Sequence, residues 1–419
     1  MSRSQSHPYL FEAINPMSVA PSHHSTSATG ATVFTSSAGV PLLDINRQYE
    51  ALRGEILAAI SEVCDSGRFV LGPDCERLEI DLAAYCGAPY GIACASGSDA
   101  LLLALMALDV QSGDEVLMPS YTFFATASAA WRLGAKPVFV DIDPQSFNIS
   151  PALVEQKITP RTKAIMPVHL FGQCADMDAL QAIARRHGLP IVEDACQAVG
   201  AEWNGRRAGS LGTIGCFSFY PTKNLGGFGD GGMMTAMDAQ IAERLKLLRT
   251  HGMQPRYYHQ VVGLNSRLDS LQAAVLNVKL RYLESWTALR QANAQRYTTL
   301  FAEFGLESQI GLPTAAPNCR HVWNQYVVRI PGGKRDTLRA FLAERKIGTE
   351  IYYPVPLHQQ QCFRELGYGP GSLPESERAA AETLALPIFP ELTAREQRTV
   401  VAAIAEFMNS ASGSQRKAS

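Results

Sequence analysis

The sequence has no C-x-x-C pair and no zinc-ligand spacing, and its nine cysteines (64, 75, 86, 94, 174, 196, 216, 319 and 362) are an odd number. This excludes a disulfide scaffold with every cysteine paired and a zinc ribbon, and no metal site is expected. Several thiols, Cys94 and Cys216 among them, lie in apolar strand-like runs, where a free cysteine behaves as a small hydrophobe. Reduced thiols of that kind point to a reducing, cytoplasmic compartment. Also missing is any apolar run of about eighteen residues, the length a membrane span requires. The start of the chain lacks the cationic segment and apolar block of a signal peptide, so residues 1–39, rich in Ser, Thr and Ala, read as a disordered tail. Excess charge is scarce: 18% of residues are charged and the formal net charge is −2, which gives no electrostatic reason to expect nucleic acid or an anionic membrane as partner. No internal repeat is visible.

What the chain does have is length and apolar content. Its 419 residues, 46% hydrophobic, suffice for two or more domains with a sizeable core. Tyr49 to Asp65 and Cys75 to Tyr85 carry apolar residues at helical spacing and read as covering helices. From Tyr90 onward short apolar runs (Tyr90 to Cys94, Glu115 to Met118, Pro137 to Val140, Ala164 to Val168, Pro190 to Val192) alternate with helical patterns such as Ser98 to Leu108 and Met177 to His187. That alternation predicts an α/β fold with a mostly parallel sheet, and it places ligands at the carboxyl ends of the strands. A helix is expected from Asp238 to Arg249 and a long one from Ser270 to about Ala302. A smaller unit beginning near Arg320 has strands at Asn324 to Ile330 and Gly348 to Tyr352, helices at Arg335 to Arg345 and Thr393 to Phe407, and a frayed end from Asn409.

Four strand ends carry candidate chemistry. Ala95-Ser96-Gly97-Ser98-Asp99 opens a helix with small residues, which suits either an anion bound at the helix N-terminus or an ordinary Ser or Asp cap. The turn is neither a G-x-x-x-x-G-K-[ST] loop nor a G-x-G-x-x-G fingerprint, so it does not imply a nucleoside triphosphate or dinucleotide. Tyr121, Phe123 and Phe124 offer a surface for a flat ring, or core packing. Glu193 and Asp194 close a buried strand, where an ionised carboxylate needs a partner such as a protonated pyridine nitrogen, or serves as a helix cap; either acid fits either role. Finally, the run Gly215 to Tyr220 delivers Lys223 to a turn, and five glycines follow by Gly232, allowing φ > 0 and close approach to a ligand. Lys223 is either a solvated loop residue or a Schiff-base lysine made nucleophilic by partial desolvation, with Ser218 five positions upstream placed to hold a phosphate.

Taken in this order, a glycine-serine turn, an aromatic, a strand-end Asp and a Ser-x-x-x-x-Lys resemble the pyridoxal-phosphate nucleotide-sugar aminotransferases of the DegT/DnrJ/EryC1/StrS family. The resemblance extends from about Val40 to Phe407. Its most specific blocks are Pro167-Val168-His169-Leu170-Phe171-Gly172, Val192-Glu193-Asp194-Ala195, Ser218-Phe219-Tyr220-Pro221-Thr222-Lys223-Asn224, Gly229-Asp230-Gly231-Gly232 and Asn265-Ser266-Arg267-Leu268-Asp269. It implies fold type I: a large cofactor-binding domain over 40–285 with a mostly parallel mixed sheet flanked by helices, and a smaller C-terminal α+β domain over 286–408, with tails at 1–39 and 409–419. It further implies that Lys223 carries pyridoxal 5'-phosphate, that Asp194 binds the pyridinium nitrogen, that Gln197 lies beside the ring's phenolic oxygen and that Phe123 stacks on the ring. Gly97, Ser98 (where many members have Thr), Asp99 and Ser218 match the phosphate contacts. Asn265 matches a residue that reaches the neighbouring subunit's phosphate, so a homodimer with shared active sites is implied.

The block Arg256-Tyr257-Tyr258-His259 looks most like subgroups that aminate C3 of a keto-hexose on a nucleotide diphosphate, with an amino acid donor such as glutamate. C4 amination is the alternative. Arg256, Tyr352 (where many members have His) and His358 are the candidate substrate residues, although an exposed loop arginine explains Arg256 as well. Family dehydratases replace the lysine by His, which Lys223 argues against. A non-catalytic regulator that binds cofactor or sugar is the competing class, but no segment is large enough for a signalling module.

Overall fold

The computed structural model describes residues 39–415, with side chains to 410. The tails expected over 1–39 and 409–419 therefore lie outside the described residues, except for Gly39 and for 409–415, which are helical. Two helices come first, α1 (Ile45–Ser66) and α2 (Pro73–Cys86). Asp44 caps α1 by accepting the amides of Asn46 and Arg47, and Gly67 ends it at φ 66°. Strands and helices then alternate: β1 (Tyr90–Cys94), α3 (Gly97–Ala107), β2 (Glu115–Pro119), α4 (Ala125–Arg132), β3 (Lys136–Val140), the single turn α5 (Pro151–Val154), β4 (Thr162–Ile165), α6 (Met177–His187) and β5 (Val192–Asp194). A ribbon of β6 (Glu202–Trp203) and β7 (Arg206–Arg207) leads to β8 (Ile214–Ser218), β9 (Gly232–Ala236), α7 (Ala239–Leu248) and α8 (Ser270–Leu280). The remaining elements are α9 (Leu283–Glu303), β10 (Cys319–Arg320), β11 (Tyr326–Arg329), α10 (Arg335–Glu344), α11 (Pro374–Glu382), β12 (Thr383–Leu386) and α12 (Ala394–Gln415).

In the main sheet, β2 pairs in parallel with β3 and β4, β5 pairs in parallel with β8, and β9 runs antiparallel between β8 and β1. Parallel bridges Ile165–Ile191 and Val168–Asp194 join the two groups. The spatial order is therefore β3-β2-β4-β5-β8-β9-β1, with β9 alone reversed, which is the mostly parallel mixed sheet expected. Strand alternation separates the two faces. Leu117, Phe217 and Met233 pack with Leu78, Leu180 and Leu276 of α2, α6 and α8. Val116, Met118, Cys216 and Met234 pack with Leu101, Ala127 and Leu245 of α3, α4 and α7 on the other side. Helices on both faces leave the carboxyl ends of the parallel strands as the open edge where a ligand can enter.

A further cluster brings Tyr297 and Phe301 of α9 together with Tyr326, Val328, Leu338, Leu384, Leu386, Val400 and Ile404. Val40, expected in the large domain, belongs to this cluster, with Gly348 N–H donating to Val40 O at 2.8 Å. The expected boundary at 285/286 falls inside α9, whose Leu283 packs in the sheet cluster while its later turns pack here.

Three expectations are corrected. The long helix after Ser270 is two helices, α8 ending at Leu280 and α9 starting at Leu283, and between them Tyr282 N–H donates to Lys279 O, three residues back, in a tightened turn. Gly348 to Tyr352 is not a strand; it meets β12 only at Glu350, bridged to Ala385, and then leaves the sheet. The last helix passes Phe407 and continues to Gln415.

Candidate active site

The open edge gathers the ends of β1, β2, β5 and β8. Just past β1, Ser96 caps α3: its Oγ accepts Asp99 N–H at 3.1 Å, and Ala100 N–H closes the first turn on Ser96 O at 3.0 Å. Helix geometry leaves the amides of Gly97 and Ser98 over, pointing along a positive helix end suited to an anion. Gly97 is required by contact, since a Cβ there would lie 2.6 Å from Ser218 Cβ and 3.0 Å from Cys196 Sγ. The same distances place the end of β8 and the loop after β5 against this turn. Ser98 is exposed. Asp99 is spent within the chain: its amide goes to Ser96, and its carboxylate accepts the Ser266 hydroxyl at 2.7 Å.

The two acids that close β5 separate by strand alternation. Glu193 points into the core, where Oε1 accepts the amides of Leu211 and Gly212 at 2.8 and 2.6 Å, and Oε2 accepts Gly209 N–H at 2.8 Å and the His169 ring at 2.9 Å. Ala175 N–H donates to His169 Nδ1 at 3.1 Å, so Nε2 carries the proton given to Glu193. Asp194 faces the open edge instead. Its Oδ2 accepts Thr126 Oγ1–H at 2.7 Å and its Oδ1 accepts Cys196 N–H at 3.3 Å.

Lys223 is half-buried in the turn after β8. Burial lowers its pKa, and the charges of the nearby Cys196 and Asp194 oppose that shift. Burial also pushes the Cys196 thiol well above its ordinary value. None of the five glycines after Lys223 adopts the positive φ expected of them. They are there for close approach: a Cβ on Gly226 would lie 2.4 Å from Pro221 O, and one on Gly227 2.8 Å from Gln272 Oε1. The buried Lys279 clamps this run from α8, its Nζ donating to Gly226 O at 2.5 Å.

Aromatics frame the edge. Tyr121 is fully buried and Phe124 stacks on Phe363, whereas Phe123 is 54% exposed with its ring 6.0 Å from that of Tyr353. Gln197 spans to the same tyrosine, donating from Nε2 to Tyr353 Oη at 3.0 Å while its Oε1 accepts Phe171 N–H at 2.8 Å.

The substrate candidates fare differently. His358 is buried, with Nδ1 at 2.7 Å from Ser120 Oγ and Nε2 at 3.1 Å from Glu377; both ring nitrogens are used in packing, and burial lowers its pKa. Tyr352 is half-buried and lends its carbonyl to the Tyr121 hydroxyl. Arg256 is exposed and sits 4.9 Å from the Tyr257 ring, with no contact to Lys223 or Asp194 within the chain. Asn265 is exposed on a loop bridged to Thr250, and its neighbour Ser266 accepts Ala95 N–H at 3.2 Å.

Thr126, Ser266 and Tyr353 escaped the sequence reading. A threonine on an alanine-rich helix and a serine inside a loop block carry no local signal, since only the fold brings them to Asp194 and Asp99. Tyr353 had one available signal, its place beside Tyr352 ahead of Pro354.

The arrangement combines a hydrogen-bonded carboxylate, a half-buried amine, a helix end with free amides and an accessible ring. These fit a phosphorylated pyridine aldehyde from end to end. Comparisons with known proteins agree. The profile of the DegT/DnrJ/EryC1/StrS aminotransferase family matches residues 50–405. A protein of Geobacillus stearothermophilus called pleiotropic regulatory protein is 53% identical over 88% of this chain and 98% of its own. A dTDP-3-amino-3,4,6-trideoxy-alpha-D-glucose transaminase of Streptomyces venezuelae is 47% identical over 88% of this chain and 96% of its own. The crystal structure of S. venezuelae DesV in complex with a ketimine intermediate superimposes with a TM-score of 0.85 at 46% identity, covering 88% of this chain and 99% of that one. With profile, fold and site in agreement, the chain belongs to the DegT/DnrJ/EryC1/StrS family as a pyridoxal-phosphate-dependent sugar aminotransferase.

Proposed function

We propose that this enzyme aminates the C3 keto carbon of a hexose linked to a nucleotide diphosphate, with L-glutamate as amino donor, giving an amino sugar nucleotide for glycan, polysaccharide or glycosylated-metabolite synthesis. The observation that carries the reading is Asp194, whose two oxygens accept Thr126 Oγ1–H and Cys196 N–H at the open edge, where the turn after β8 also brings Lys223. The C3 position rests on likeness to the S. venezuelae enzyme, whose name specifies a 3-amino sugar.

When bound, the cofactor supplies an electron sink for the carbanion left as a carbon–hydrogen bond breaks. Asp194 would pair with its ring nitrogen and favour the protonated form, and Thr126 keeps that carboxylate aimed. Lys223 Nζ would be the attachment point, and its lowered pKa enlarges the neutral, nucleophilic fraction near neutral pH. When free, the same amine would serve as the general base that takes the proton from the donor's carbon. The amides of Gly97 and Ser98 and the hydroxyl of Ser218 would bind the phosphate, Phe123 would cover the ring and Gln197 would lie at its oxygen. Ser218→Ala removes one hydrogen bond to a charged group, about 1.5–3 kcal/mol. Cofactor affinity, followed by absorbance during equilibrium dialysis, should fall by about tenfold or more. Unchanged affinity would put the phosphate elsewhere.

The deciding assay incubates the cofactor-loaded protein with glutamate and a panel of keto sugar nucleotides. Amination of a 3-keto hexose supports the reading; product only from 4-keto acceptors moves the position to C4. A regulator is the second reading, favoured by the name of the 53% identical relative. Failure of every donor to convert the bound cofactor to its amine form would select it.

A homodimer forms part of the proposal. Phe69, Val70, Tyr257, Tyr258 and Val262 are exposed apolar side chains, and Val262 is 88% accessible, which supports burial against a second copy. Asn265 then completes the phosphate site of the neighbouring subunit. Mixing Asn265→Ala with Lys223→Ala protein tests this: a mixed dimer has one site with both lesions and one with neither, so up to roughly half of the parent sites should return. With subunit exchange verified, no gain over the single variants would assign Asn265 to its own chain's site, through the tie that Ser266 makes to Ala95 and Asp99.

A further inference from the structure

We propose that Lys279 is a positioning residue: from α8 it holds the turn that carries Lys223, and it does so at a cost to the stability of the fold. The inference rests on the reading of Lys223 as the attachment point of the cofactor. Lys279 is 2% exposed, and its Nζ donates to Gly226 O at 2.5 Å. Seven residues earlier on the same helix, Gln272 Oε1 accepts Phe228 N–H at 2.7 Å. Seven residues are close to two helical turns, so both side chains leave one face of α8. They grip the chain on either side of Gly227, one at a carbonyl and the other at an amide. Local bonds close the turn itself: Lys223 N–H donates to Tyr220 O and Gly227 N–H to Phe219 O, both at 2.8 Å, and Asn224 Nδ2–H reaches Val322 O at 2.9 Å. The contacts from α8 fix where the closed turn stands, because Ala273 and Leu276 anchor that helix in the sheet core.

The chemistry of the residue separates this role from packing. What meets the Lys279 nitrogen is a neutral carbonyl rather than a carboxylate, with the Phe228 ring 5.8 Å away. Burying a charge in such a place costs stability, whereas an unbranched apolar side chain of similar length fills the same space without that penalty. Burial accordingly lowers the Lys279 pKa to about 8, and the charge of Glu391 opposes that shift. A methionine would pack here as well as a lysine; what only the lysine supplies is a donor at Gly226 O, three residues after Lys223. A base that must reach one particular proton is sensitive to such support, since a displacement of about 1 Å costs on the order of 10²-fold in rate.

The test compares the parent holoenzyme with Lys279→Met. The variant should keep its melting temperature or gain in it, because a buried charge is gone. Its half-reaction with glutamate should nevertheless slow by roughly tenfold to a hundredfold. Hydrogen exchange of the holoenzyme gives a readout independent of turnover: the amides of Gly227 and Phe228 should exchange about tenfold faster or more than in the parent, with those of β2 and β8 unchanged. Parental turnover, or parental protection at Gly227 and Phe228, overturns the proposal. So does loss of the fold, or a melting temperature that drops along with turnover, since either makes Lys279 a stability residue only. Borohydride mapping of the parent separates the inference from its basis. A label away from Lys223 removes the reading and the inference together, whereas a label on Lys223 with any of those failures removes the inference alone.

Discussion

Lys223→Ala should abolish transamination while the protein keeps its fold and its cofactor affinity falls without vanishing. The substitution removes both the covalent attachment and the base that moves the proton. General acid–base catalysis alone contributes roughly 10²–10⁴-fold, so the loss from both roles should exceed that range. The half-reaction with glutamate, followed by the change in cofactor absorbance, measures it. Fold damage is not expected, because Lys223 donates its backbone N–H to Tyr220 O at 2.8 Å whatever its side chain. In the parent, borohydride reduction followed by peptide mapping should leave the pyridoxyl label on Lys223. A label on Lys279, the other lysine whose pKa burial lowers, to about 8, would overturn the assignment.

The second large effect is electronic. Asp194→Asn preserves shape and can keep Thr126 as a neighbour, but it lacks the charge that keeps a pyridine nitrogen protonated. Cofactor should stay bound, and proton abstraction should slow on the order of a hundredfold or more, the scale on which an aligned electrostatic group acts. A substrate deuterated at the carbon that loses its proton should then show a larger kinetic isotope effect as that step becomes limiting. Near-parental turnover would transfer the role to another acid. Glu193 is poorly placed to take it, because its two oxygens already accept three amides and the His169 ring within the core.

Much of the fold was legible in the sequence because it is written locally. The apolar runs that became β1, β2, β3 and β8 are bounded by turn residues and flanked by helical periodicity, and α6 matched its expected bounds, Met177 to His187. Errors arose where a distant partner decides the backbone. The split between α8 and α9 occurs in a run whose helical pattern continues through Arg281 and Tyr282. Gly348 to Tyr352 has the composition of a strand but finds only Glu350 in register with β12. The glycines after Lys223 were expected for their dihedral freedom and proved necessary for the space they leave to Pro221 and Gln272.

By itself the sequence determined the order of strands and helices, the candidate lysine and the pair of acids at the end of β5, since strand period, turn chemistry and motif spacing are properties of neighbouring residues. Tertiary structure decided which acid faces outward: once one face of β5 is committed to the core, the period of two sends Glu193 to His169 and three amides, and Asp194 to Thr126 and the open edge. It also withdrew His358 into the interior, engaged Asp99 with Ser266, and brought Tyr353 from the far end of the chain to Gln197 and Phe123. Contacts between residues more than a hundred positions apart leave no trace in local spacing, because only the closing of the sheet and the packing of the C-terminal segment against it bring them within reach.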